Sequence, residues 1–100
     1  MAVLQAATFG KVVPLLGGGS DIVLDEPHNR LYLTSSATNQ LQVYSLAQNK
    51  FLSAITTDSE PMAAAISRSG QFLYVACYAS SVVDVIDLTA LAVTNRISLP

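Results

Sequence analysis

The chain has 100 residues, enough for one domain of ordinary size, and 51% of them are hydrophobic against 12% charged; for that length it is apolar enough that something other than water should cover part of its surface. Seven acidic and five basic residues leave a net charge of -2 with no run of either sign, so the electrostatic footprint that nucleic acid or an acidic membrane would need is missing. The single cysteine, Cys77, cannot make an intrachain disulfide, and no stretch reaches the roughly 18 uninterrupted apolar residues of a membrane span.

In chain order, the opening Met1 to Leu16 is apolar but has no Lys or Arg before Lys11 and is broken again by Pro14. It does not read as a secretory leader, and the chain as given reads as soluble. Next come Gly17, Gly18, Gly19 and Ser20. A phosphate cradle would need a Lys and a helix after them, but Asp21 to Leu24 is largely apolar and β-branched, so the four residues read as a linker. Four short segments then stand out: Asp21 to Leu24, Leu31 to Ser35, Leu41 to Ser45 and Phe51 to Thr56. They are rich in Val, Ile, Leu and Tyr and are separated by turn formers such as Glu26-Pro27-His28-Asn29 and Ala47-Gln48-Asn49-Lys50. Helices of ten or more residues do not fit between those turns.

The second half repeats the first. Leu31 and Tyr32 recur as Leu73 and Tyr74, and 74 - 32 = 42. Without a gap, the same offset pairs Ala37 with Ala79, Val43 with Val85, Leu46 with Leu88 and Ile55 with Ile97. It predicts strands at Met62 to Ser67, Phe72 to Cys77, Val82 to Asp87 and Val93 to Ser98. The alanines Ala63, Ala64 and Ala65 favour helix locally, but their repeat partners Asp21, Ile22 and Val23 do not, and register outranks local propensity. Shifting back once more, Leu4 meets Leu46, Phe9 meets Phe51 and Val13 meets Ile55, which makes residues 1–16 the outer strand of a preceding or closing unit.

A period near 42 made of four strands is the pattern of a propeller blade. The expected architecture is all-β: a β-propeller fragment of two four-stranded antiparallel blades, residues 17–58 and 59–100, with an extra N-terminal outer strand. The inner strands of a blade are covered on both faces, which accounts for apolar runs without clean alternation, such as Leu73-Tyr74-Val75-Ala76.

The residues Ser67-Arg68-Ser69-Gly70-Gln71-Phe72-Leu73-Tyr74-Val75-Ala76, followed by Val82-Val83-Asp84-Val85-Ile86-Asp87, resemble the YVTN-type β-propeller repeat. That blade has a Gly-containing turn, a Tyr-Val strand ending in Asn, a strand ending Ile-Asp, and a Val-rich outer strand. Here the Asn is replaced by Ser35 and Cys77, the first Gly by His28, and the Ile-Asp pair survives only as Ile86-Asp87. The resemblance implies a propeller, an extracytoplasmic location, and a structural role for Asp87 in capping turn amides.

Candidate chemistry is sparse. Among Asp21, Asp25, Glu26, Asp58, Glu60, Asp84 and Asp87, all but Asp84 and Asp21 are placed at turns or strand ends, where solvated carboxylates are the expectation. Adjacent Asp25 and Glu26 diverge if both are extended. His28 sits alone in a turn, and with Cys77 three strands away it makes no metal signature. Cys77, with no base in its strand, reads as a small buried hydrophobe. Tyr32, Tyr44, Tyr74 and Tyr78 read as packing because no basic residues interleave with them. No catalytic residue, cofactor or metal is assigned; loops Ser35 to Asn39 and Cys77 to Ser81 are the candidates for a binding face.

Two blades leave two apolar faces without partners, whereas a closed ring has about four to eight blades. Either further blades belong to a longer chain or copies assemble, three copies giving six blades. The leading strand could then add to, or replace, the outer strand of a neighbouring copy's last blade. The functional expectation is a non-catalytic binding or interaction scaffold. The resemblance also implies two alternatives: a fragment of a lactonase-like hydrolase whose missing blades carry the key residues, and the propeller subunit of a redox enzyme.

Overall fold

The computed structural model describes residues 21–100; the expected leading strand and the glycine linker lie outside the described residues. Strands β1 (Asp21–Asp25), β2 (Arg30–Ser35), β3 (Gln40–Ser45), β4 (Lys50–Phe51) and β5 (Ile55–Thr56) make one sheet, with β6 (Pro61–Ile66), β7 (Phe72–Cys77), β8 (Val82–Asp87) and β9 (Ala92–Ser98) making the other. Neighbouring strands are antiparallel throughout. The alanine-rich segment is a strand: Ala63, Ala64 and Ala65 pair with Ala76, Val75 and Tyr74. One expectation is corrected. The fourth strand of the first sheet is broken into β4 and β5, and the ladder lapses over residues 52–54, whereas its counterpart β9 runs on with one irregularity between its partners Val85 and Ile86.

The turns explain the regular spacing. In the first sheet each four-residue turn ends in an asparagine with positive φ: Asn29 at 53°, Asn39 at 54° and Asn49 at 55°. Asparagine is among the non-glycine residues that tolerate the left-handed region. The same conformation recurs one repeat later at Ser81 (52°) and Leu91 (54°), so the backbone keeps its turn after the favourable residue has been lost.

The two sheets pack face to face, and side chains alternate between faces along each strand. Tyr32, Leu41, Val43 and Ile55 of the first sheet meet Leu73, Val75, Cys77, Ile86 and Leu88 of the second in one buried cluster. The inner strands are tied as well: the Ala64 amide donates to Asp21 Oδ2 at 3.1 Å. On the other face of the first sheet Leu33 and Tyr44 are buried, Tyr44 lying edge-on to Phe51 with ring centroids 5.1 Å apart, while Ile22 and Leu24 are exposed.

Thr34 is fully buried on the face turned to the second sheet, and its Oγ1 has no hydrogen-bond partner. A buried hydroxyl without a partner costs on the order of 1 kcal/mol or more. Thr34→Val keeps the shape and removes the hydroxyl, so it is expected to stabilise the fold by about 1 kcal/mol, read as a rise in melting temperature of roughly 4–8 °C.

Candidate functional site

Antiparallel connection sends alternate turns to opposite ends of the sheets, and polar side chains gather at both. At the end holding turns 26–29 and 88–91, Asp25 closes β1 and is buried, contrary to the expectation of a solvated turn carboxylate. Its Oδ2 accepts from the Tyr32 hydroxyl at 2.5 Å and lies 2.7 Å from His28 Nδ1. Arg30 Nη1 donates to the Leu88 carbonyl of the second sheet at 2.8 Å and lies 3.4 Å from the Tyr32 hydroxyl. Burial, reinforced by the bond to Asp25, pushes the Tyr32 phenol up to about 12. Glu26 turns outward to solvent, so the adjacent acids diverge as expected. Asp25, His28, Arg30 and Tyr32 thus form a clamp that closes a turn and fastens one sheet to the other.

Sequence reasoning placed His28 alone. The pattern Asp25-x-x-His28-x-x-x-Tyr32 carried the signal, because a two-strand hairpin returns position 32 beside the end of β1. One repeat later the counterparts of Asp25, His28 and Arg30 are Ser67, Gly70 and Phe72, so the second sheet has no such clamp.

At the opposite end the two loops proposed as a binding face are joined by the connection between β5 and β6. The Glu60 amide donates to Asn39 Oδ1 at 3.0 Å, the Ser59 amide to Ser80 Oγ at 2.9 Å, and the Tyr78 amide to the Glu60 carbonyl at 2.9 Å. Within the first loop Ser35 Oγ and Thr38 Oγ1 are 2.8 Å apart. Beneath them Asp84, fully buried on β8, accepts from the Asp58 amide at 2.8 Å and from Arg96 Nε at 3.0 Å. Arg96 also lies 3.5 Å from the Asp58 carboxylate, which hydrogen bonds from Ser80 and the Ser59 amide, ahead of the attraction of Arg96, hold below the usual carboxylate range.

Cys77 sits inside this network, buried, with its Sγ 3.8 Å from Asp84 Oδ2. Burial first, and the neighbouring Asp84 charge second, push its thiol up to about 11; it packs and does not present a thiolate at neutral pH. Asp87 caps its turn, accepting from the Thr89 and Ala90 amides at 2.8 and 3.1 Å. Among the described residues no group of three or more His, Cys, Asp or Glu is arranged to hold a metal ion.

Between the outer strands of the two sheets runs an open groove of about 760 Å³, walled by Lys50 to Thr56 on one side and Ala90 to Val93 with Arg96 on the other. Its walls mix apolar side chains with Ser53 and Thr56, and it is basic at Lys50 and Arg96. At the loop end Tyr78 and Glu60 are exposed and Arg96 is half exposed.

No protein-family model matches the sequence, and no curated protein matches it. Solved structures do. Hydrazine synthase of Kuenenia stuttgartiensis superposes with a TM-score of 0.77 at 21% identity over 92% of this chain and 26% of that one. The β-propeller domain of Myceliophteria thermophila Cps50 (Swd1) superposes with a TM-score of 0.73 at 15% identity, over 86% of this chain and 27% of that one. The chain therefore spans about a quarter of the length of each. At these identities the likeness shows the fold alone: this is an all-β, β-propeller-like arrangement of two antiparallel sheets, the architecture of a propeller fragment.

Proposed function

We propose that the chain is a two-blade unit of a closed β-propeller of the YVTN repeat type, acting as a non-catalytic scaffold that recruits a ligand or partner at its loop end. In this reading residues 17–58 and 59–100 are the two blades, residues 1–16 supply an outer strand that closes the ring, and the setting is extracytoplasmic, as that repeat type implies. The observation that carries it is the knitting of loops 36–39 and 78–81 through connection 57–60. The bonds among Asn39, Ser59, Glu60, Tyr78 and Ser80 hold a rigid polar rim, with Asp84 and Arg96 anchoring it from below. A rim of fixed loops on a stiff sheet scaffold is where propellers and other repeat folds place recognition.

Closure rests on the same geometry. The outward face of the second sheet exposes Tyr74 and Ile97, and three copies give six blades, within the range of closed rings. Light scattering on a sizing column over a concentration series is expected to show a discrete trimer. A monodisperse monomer at every concentration would overturn self-assembly and leave further blades of a longer chain as the source of closure.

A further inference from the structure

We infer that the groove between the outer strands of the two sheets is a second docking site, taking an extended acidic segment of a partner protein. Both of its walls belong to one chain, so the site lies apart from the recruitment proposed at the loop end and does not depend on closure of a ring.

The groove follows from what the outer strands carry. Leu52, Leu91 and Val93 are partly buried against the cluster between the sheets, which gives it an apolar floor. Ser53 and Ala54 on one wall and Ala90 and Ala92 on the other are small and exposed, and they leave that floor uncovered. Its volume of about 760 Å³ falls within the range of ligand sites, about 300–1,000 Å³.

Charge says what fits it. No acid lines the groove, whereas two of the four described basic residues, Lys50 and Arg96, do. Lys50 is exposed and makes no ion pair among the described residues. Arg96 is held through Nε, 3.0 Å from Asp84 Oδ1 and 3.5 Å from Asp58 Oδ2. Its Nη1 and Nη2 donate no hydrogen bond among the described residues, so they remain for a carboxylate, which takes two parallel bonds from such a fork. Because Asp84 and Asp58 offset part of the Arg96 charge, Lys50 carries the larger share of the attraction. The chain's own leading segment, residues 1–16, has no acidic residue to offer.

Spacing points to an extended peptide. Lys50 pairs with Ser45, and Arg96 with Asp84, whose repeat counterpart is Gln42. The two bases therefore stand on opposite walls and three ladder positions apart. Alternate side chains of an extended chain share a face, and four residues advance about 13 Å. Acids four apart can reach both bases while the side chain midway between them meets the floor.

The probe is a fluorescein-labelled peptide of seven residues, with glutamate at its second and sixth positions, leucine at its fourth and threonine elsewhere, titrated with the full chain by fluorescence polarisation. Saturable binding is expected, weakening severalfold as salt is raised from about 0.05 to about 0.5 M. Lys50→Glu is expected to weaken it by about tenfold, and Ala92→Glu, an acid at the repeat counterpart of Lys50 on the facing wall, by a similar factor. Both positions are exposed, so circular dichroism should show the strands retained. Moving the second glutamate to the fifth position turns it to the opposite face and should cost as much. The inference is overturned if the chain does not bind the peptide saturably, if both variants bind it as the wild type does, or if a peptide with lysines in place of the glutamates binds equally well.

Discussion

Leu88→Ala is expected to cost about 3 kcal/mol in urea unfolding followed by circular dichroism, and Leu46→Ala, the same change one repeat earlier, no more than about 1 kcal/mol. Leu88 is fully buried in the cluster between the sheets, whereas Leu46 is more than a third exposed. Truncating a buried leucine loses its transfer energy and leaves a cavity that the neighbours fill only in part. Against a total stability of about 5–15 kcal/mol for a domain, that loss is a large share. Because the two leucines hold the same place in the repeat, the difference between the two variants reports chiefly the contribution of sheet-on-sheet packing. Equal costs would show that the cluster does not hold the sheets together.

The second large effect concerns the charges beneath the loop end. Arg96→Ala is expected to destabilise by about 2 kcal/mol and Asp84→Asn by about 1 kcal/mol, with the double variant costing less than the sum. Removing Arg96 leaves the Asp84 carboxylate fully buried with the Asp58 amide as its remaining strong donor. Asp84→Asn removes the charge but keeps an oxygen for that amide. The magnitude is set below that of a wholly buried pair because Arg96 is itself half exposed and water replaces part of what is lost. Loss of Arg96 should also loosen connection 57–60, visible as faster amide exchange at Asp58 and Ser59. Unchanged stability in Arg96→Ala would remove the network as the anchor of the rim.

Much of the fold was legible because a 42-residue offset constrains both halves at once. An isolated Ala63-Ala64-Ala65 argues for helix, but aligned with Asp21-Ile22-Val23 it had to be a strand, and it is. The break over residues 52–54 escaped because hydrophobic pattern records which residues are apolar, not whether a short outer strand keeps every ladder bond. The buried state of Asp25 and Asp84 escaped for another reason. Asp25 is buried because Tyr32 and His28 return to it across a hairpin, and Asp84 because Arg96 on the next strand and an amide 26 residues away converge on it. Such partners are set by strand register, which turn residues fix, and only the spacing of Asn29, Asn39 and Asn49 hinted at that register. The loops proposed for binding were found at one end because antiparallel order alone requires it; their bonding to connection 57–60 was not readable.

The lapse in pairing over residues 52–54 also bears on how the molecule stays apart from others of its kind. A straight outer strand offers a row of free amides and carbonyls on which a stray chain can grow a further strand, the usual beginning of aggregation. Two-residue β4 and β5, separated by an irregular step, offer no such row. The outer strand β9 of the second sheet does, over seven residues, and there Thr94, Asn95 and Arg96 set polar and charged side chains in the middle of the strand, where the pairing with β8 also shifts. Stray growth at the outer rim is thus confined among the described strands to one edge, and that edge is polar at its centre.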